Sequence, residues 1–214
     1  MKHVFRYLAG RPVLPVVFAN VVAPSTISVY CDSDWASCVR TRRSTSGGIV
    51  TTDNSVTHFW SRTQHTVALS SAEAELGSAV TAAAEALFIQ KLWRALGYEV
   101  RINMFIDSKA CLDHLKKLGL GKLKHIQIRS HYLQQLIREK SVYIFKIPGE
   151  DNVSDLLAKA VSSKVLQKLL SSSLVQLDVS LYPFLCRNDV SVERINWDLF
   201  SSPDADKTLA SFYM

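Results

Sequence analysis

Hydrophobic and polar positions alternate over residues 26–35, Thr-Ile-Ser-Val-Tyr-Cys-Asp-Ser-Asp-Trp, and this period of two predicts a β-strand behind the boundary signal Pro24-Ser25. Alternation puts Ile27, Val29 and Cys31 on one face and Ser28, Tyr30 and Asp32 on the other. Gly47 to Thr52 reads as a second strand, Asp53-Asn54-Ser55 as a turn, and Val56 to Ser61 as a third strand, giving an antiparallel meander. At Ser70 the period lengthens: Leu76, Ala79, Val80, Ala83, Leu87 and Leu92 fall at helical spacing until Gly97 stops the run. Ser70 and Glu73 fit a capping box, in which the acid folds back on the amide of the capping residue. Glu75, in the same first turn, has no such structural task.

Alternation returns over Val100 to Asp107, and Ser108 opens a short helix to about Leu115. Lys116 to Lys124 is a basic break containing Gly119 and Gly121. An amphipathic helix from His125 to Lys140 follows, with Ile126, Ile128, His131, Leu133, Leu136 and Ile137, then a strand over 141–147 that stops at Pro148-Gly149. Glu150 to Lys159 is a polar loop running into a helix that reaches about Leu170. The element order is βββ-α-β-α-α-β-α, an α/β (α+β) pattern. Residues 171–214 show no clear period and read as a tail with a helix around Val190 to Phe200, while Met1 to Leu8 resembles the end of an amphipathic helix.

Composition adds bounds. A chain of 214 residues at 48% hydrophobic content can bury one domain's core and carry an appendage. Its formal charge of +6 suits a polyanionic partner. Cys31, Cys38, Cys111 and Cys186 have neither metal-ligand nor disulfide-framework spacing, so free thiols in a reducing compartment are expected. No run approaches the ~20 apolar residues of a membrane span, and basic residues interrupt the N-terminus too early for a signal peptide. An intracellular, cytoplasmic or nuclear location is the expectation.

The chemistry lies in the acids. Asp32 and Asp107 stand at strand ends, Glu75 in a helix's first turn and Asp155 at the start of the last helix. Singly, each reads as a turn residue, an N-cap or a favourable charge on a helix N-terminus. Brought together, four carboxylates would repel one another unless divalent cations neutralised them. Oxygen donors without a Cys or His set point to Mg²⁺ or Mn²⁺, and two such ions can support in-line hydrolysis of a phosphodiester. Arg40, Arg42 and Arg43, among Ser and Thr between the first two strands, could meet phosphates or form a solvated loop.

These residues also carry a family resemblance. Tyr30 to Ala36, Thr41 to Gly47, Phe59 to Gln64, Ser70 to Glu75, Ile106 to Ala110, Lys124-His125-Ile126 and Ile147 to Asp155 resemble, in order and spacing, the ribonuclease H domain of copia-type (LTR) retrotransposon Pol polyproteins. The resemblance spans about 26–170. It implies a ribonuclease H-like mixed five-stranded sheet, in outline βββαβαβα, with helices packed on it. It divides the chain into a remnant of the polymerase-linking segment over 1–22, a ribonuclease H-like domain over 23–170 and an extension of unknown role over 171–214. The implied activity is endonucleolytic cleavage of the RNA strand of RNA–DNA hybrids with two Mg²⁺ ions, Mn²⁺ being possible.

Carried over by position, the catalytic and metal-binding acids are Asp32, Glu75, Asp107 and Asp155, with Asp34 and Glu73 as second choices two residues away. Implied partners are the hybrid and the reverse transcriptase domain of the same polyprotein, without a membrane or a small-molecule cofactor. Hybrid binding should rest on phosphates and RNA 2′-hydroxyls, with Arg40, Arg42, Arg43, Lys109, Lys122 and Lys124 as candidate contacts. His125 and His131 read as packing or surface residues, and Trp60 and Trp93 as core. The sequence departs from the family at Gln127, where an acid is usual, and modestly over Ser154 to Lys159. The alternative is a catalytically silent nucleic-acid-binding or polymerase-docking remnant.

Overall fold

The computed structural model describes residues 23–116 and 124–171. The expected linking segment 1–22, Lys122, Cys186 and the extension from residue 172 onward, with its helix around Val190 to Phe200, lie outside the described residues. Strands β1 (Thr26–Asp34), β2 (Thr45–Thr52), β3 (Ser55–Thr63), β4 (Arg101–Ile106) and β5 (Val142–Lys146) form one sheet in the order β3-β2-β1-β4-β5. β1 runs antiparallel to β2, and β2 to β3, whereas β1–β4 and β4–β5 are parallel pairs. This is the mixed, ribonuclease H-like α+β sheet that the sequence implied.

Helix α1 (Ser71–Ala95) carries the chain from β3 to β4. Its alanines at 79, 82, 83 and 86 are fully buried, and such short side chains let the helix approach the sheet face formed by Ile27, Val29 and Cys31 closely. Trp60 is buried in the same layer, and Trp93 donates its indole N–H to Thr52 Oγ1 at 3.1 Å. Helices α2 (Lys109–Lys116) and α3 (Lys124–Arg138) join β4 to β5. On the opposite sheet face, Tyr30 and Ile49 pack with Val153, Leu156 and Leu169 from the C-terminal part. The alternation of β1 therefore separates two real layers.

The turn between β2 and β3 has Asp53 at φ 44° and Asn54 at φ 70°, the two left-handed residues that match a tight hairpin to strand twist. Asp53 also accepts hydrogen bonds from the amides of Ser25 (2.8 Å) and Thr26 (3.1 Å), pinning the start of β1.

Three local expectations need correction. Leu92 belongs to no buried stripe and is 48% exposed; sixteen residues past Leu76, at 3.6 residues per turn, it lies about 160° around the helix from it. Glu73 folds back on the Leu69 amide (2.7 Å), one residue before the Ser70 cap, whose hydroxyl accepts from Glu73 N–H at 3.2 Å. The last helix is divided: a 3₁₀ turn (Gly149–Asp151) precedes α4 (Asp155–Ala158), and α5 (Ser163–Ser171) is separate. Lys159 ends α4 in extended conformation (φ −141°, ψ 160°). Ser162 opens α5, its hydroxyl accepting the Val165 amide at 3.4 Å.

Candidate active site

Three of the four acids meet. Carboxylate oxygens of Asp32, Asp107 and Asp155 all lie within 4.8 Å of one another. Asp32 comes from the end of β1, Asp107 from the residue after β4, and Asp155 from the first position of α4. The parallel pairing of Cys31 with Ile106 brings the first two strand ends level. Glu75 is buried beside this triangle but outside it. One turn further along α1, Ser78 Oγ donates to the Asp32 carbonyl oxygen at 2.7 Å and ties the helix to the strand end. Asp34, Glu73 and Glu75 lie outside the triangle; of the two glutamates on α1, Glu75 is the buried one.

Burial sets the electrostatics. Asp32 is 2% exposed, and desolvation, followed by repulsion from Asp155, holds its carboxyl above the ordinary carboxylate value even though the Lys159 ammonium opposes this. Asp107 is raised by desolvation and by the Asp32 charge, against hydrogen bonding from Asn152 and the pull of Lys159. Glu75 is pushed up to about 8, first by desolvation and then by the Asp32 and Asp107 charges. Three buried carboxylate oxygens, Asp32 Oδ2, Glu75 Oε2 and Asp155 Oδ1, have no directed hydrogen bond. Lys159 Nζ nevertheless lies 3.4 Å from Asp32 Oδ2 and 3.0 Å from Asp155 Oδ1, in ion-pair contact without hydrogen-bond geometry. Buried acid oxygens in this condition suit a hard cation.

Two residues of this site carried no role in the sequence reading. Asn152, fully buried, donates from Nδ2 to the Cys31 carbonyl oxygen at 3.1 Å and accepts at Oδ1 from the Ser154 hydroxyl at 2.6 Å. It thereby fastens the loop before α4 to the end of β1. Nothing in sequence separates such an Asn from an ordinary turn residue. Lys159 had a legible signal, since it follows Asp155 by four residues, the spacing at which opposite charges pair along a helix.

No protein-family model matches the chain. It is 27% identical over 163 residues to the retrovirus-related Pol polyprotein from transposon TNT 1-94 of Nicotiana tabacum, covering 75% of this chain and 12% of that protein. Over 174 residues it is 26% identical to the retrovirus-related Pol polyprotein from transposon RE1 of Arabidopsis thaliana, covering 80% and 12%. These relatives are Pol polyproteins of copia-type retrotransposons, and the chain is similar to one segment of them. It spans about an eighth of the length of these polyproteins, the 12% given by each match. Among solved structures it is similar to ribonuclease H1 from the halophilic archaeon Halobacterium salinarum, at TM-score 0.48 and 15% identity, covering 67% of this chain and 99% of that one.

Arg40, Arg42 and Arg43 are exposed on the loop between β1 and β2, and Lys109 is exposed at the start of α2. Lys124 is the first residue of α3. His131 is exposed, as a surface residue would be. Cys31, Cys38 and Cys111 are free thiols, and burial, with the charge of Glu75 behind it, pushes Cys111 up to about 12. No helix among the described residues is long and apolar enough to cross a membrane.

Glu75 gives the metal-free protein a pH dependence. Its folded value near 8 lies above its ordinary 4.5, so the folded state binds the proton more tightly than the unfolded chain. That contribution is complete below about pH 4.5 and is lost as pH rises through 8, at a cost on the order of a few kcal/mol. Denaturant melts in EDTA should therefore show lower stability at pH 8.5 than at pH 5.5, and Glu75→Gln should shrink the difference. An undiminished difference in that variant would contradict the assignment.

Proposed function

We propose that this chain is a divalent-metal-dependent endoribonuclease that hydrolyses the RNA strand of RNA–DNA hybrids, as the ribonuclease H part of a retrotransposon polyprotein. The observation that supports it best is the carboxylate triangle of Asp32, Asp107 and Asp155 within 4.8 Å, set at the end of the two parallel central strands with Glu75 buried alongside. An all-oxygen donor set fits Mg²⁺ or Mn²⁺, and the buried oxygens of Asp32, Glu75 and Asp155 that lack a directed hydrogen bond suit such ions. Two bound ions would supply the charge that neutralises these acids, activates a water and stabilises the leaving oxygen.

The chain's own residues orient and hold. Asp32 and Asp107 are fixed by strand pairing, Asp155 by α4, and Asn152 and Ser78 lock the elements that carry them. Arg40, Arg42, Arg43 and Lys109, together with Lys122 and Lys124, contact the phosphates of the hybrid in this reading, while the 2′-hydroxyls mark its RNA strand. Residues 23–170 are the catalytic domain, 1–22 a remnant of the link to the reverse transcriptase domain, which is the partner in the same polyprotein, and 171–214 an extension. The reaction takes place inside the cell.

The test is direct. A hybrid labelled on the RNA strand should be cut internally in Mg²⁺ and left whole in EDTA, with duplex DNA untouched in either. Tight hybrid binding without cleavage in Mg²⁺ or Mn²⁺ would instead establish a silent binding module.

A further inference from the structure

Lys159 lies where the acids would otherwise receive a cation. Its ammonium is in ion-pair contact with Asp32 Oδ2 (3.4 Å) and Asp155 Oδ1 (3.0 Å), and these are two of the buried oxygens with no directed hydrogen bond. The side chains of the two acids are 3% and 13% exposed, whereas that of Lys159 is 39% exposed. A charge at the mouth of the site thus neutralises a charge pair buried within it. Lys159 has also left the helix: its backbone is extended where α4 stops, and its flexible stem reaches back over the preceding turn.

We propose that Lys159 is an internal counter-cation that divalent metal must displace, so that it keeps the site assembled before metal arrives and lowers the affinity with which metal binds. This rests on the metal-dependent reading above. Without the ammonium, the carboxylates of β1 and α4 would repel each other across a poorly hydrated gap and the short helix would be driven from the sheet. With it, an incoming ion replaces one positive charge instead of filling an uncompensated site, and part of the attraction is cancelled. A Lys serves this purpose because a compact ammonium on a rotatable chain can withdraw into water, while a bidentate guanidinium would hold on.

The experiment uses the 214-residue chain without substrate and titrates it with Mn²⁺ alone, following free ion by electron paramagnetic resonance and stability by thermal melting. Lys159→Met should bind Mn²⁺ at least about fivefold more tightly, the scale expected for removing one partly solvated charge beside a bound ion. It should also melt lower in EDTA and gain more on adding Mn²⁺, while Lys159→Arg keeps affinity at or below that of the native chain. Lys159→Gln serves in the same way should the Met variant not fold. Unchanged or weaker affinity in the charge-removed variant, with only a lower melting temperature, would make Lys159 a structural ion pair and overturn the proposal. Asp107→Asn separates the two levels: it retains Lys159 and should lose Mn²⁺ affinity. If the native chain binds no Mn²⁺, or Asp107→Asn binds as well as the native chain, the metal-site reading itself falls and this proposal with it. Equal affinities for the native chain and Lys159→Met, with Asp107→Asn deficient, remove Lys159 alone.

Discussion

Asp107→Asn is expected to lower hybrid cleavage by roughly a thousandfold and, in EDTA at pH 8, to raise the melting temperature. The two effects have one cause. Asp107 is one of three carboxylates with oxygens within 4.8 Å, and desolvation followed by the Asp32 charge already holds its carboxyl above the ordinary value. Because its folded value is raised, its negative charge costs stability once the pH exceeds that value, and the neutral amide of the same shape removes that cost. The same amide is a poor partner for a divalent ion, so activity falls as the metal-free fold becomes more stable. Labelled-hybrid kinetics and melting curves on the same preparation would check both. A variant that loses activity and melts lower would point to a packing role for Asp107 instead.

The second large effect is at a residue with no side chain. Gly47 is the direct cross-strand partner of Asp32, and a Cβ there would come within 2.5 Å of the Ala158 amide nitrogen and 2.6 Å of the Leu157 carbonyl carbon. Those are backbone atoms of α4 and cannot move aside independently. Gly47→Ala must therefore lift α4, and Asp155 with it, away from Asp32, at a stability cost of about 3 kcal/mol. Gly48 is the control, since it pairs with Cys31 and a Cβ there meets the Trp60 ring on the opposite face, in the α1 layer. Both alanine variants should unfold at lower denaturant, but Mn²⁺ affinity should fall in Gly47→Ala and hold in Gly48→Ala. Equal affinity in the two would show that α4 does not depend on Gly47 for its seat.

These cases separate what was legible along the chain from what was not. Alternation in β1, the turn at Asp53-Asn54-Ser55 and the acids near the ends of β1 and β4 are local features, set by side chains two residues apart or by backbone preference. They could be read from the sequence because a strand cannot hide its period. The division of α4 from α5 could not. Its residues keep helical spacing, yet the backbone turns extended at Lys159, whose ammonium lies 3.0 Å from Asp155 of the same helix and 3.4 Å from the distant Asp32. Asn152 was invisible for the same reason, its main partner being a carbonyl 121 residues distant.

By itself, the sequence determined the order of strands and helices as far as β5, and it determined that four acids stand at or near the ends of elements. Tertiary structure alone decided that Asp32, Asp107 and Asp155 form the tight triangle while Glu75 lies beside it, and that Lys159 stands against two of these acids and Gly47 against α4. The physical reason is range. Backbone preference and side-chain period act over a few residues, whereas charge repulsion, desolvation and close approach depend on distances that exist only once the sheet has paired and α4 has settled on it.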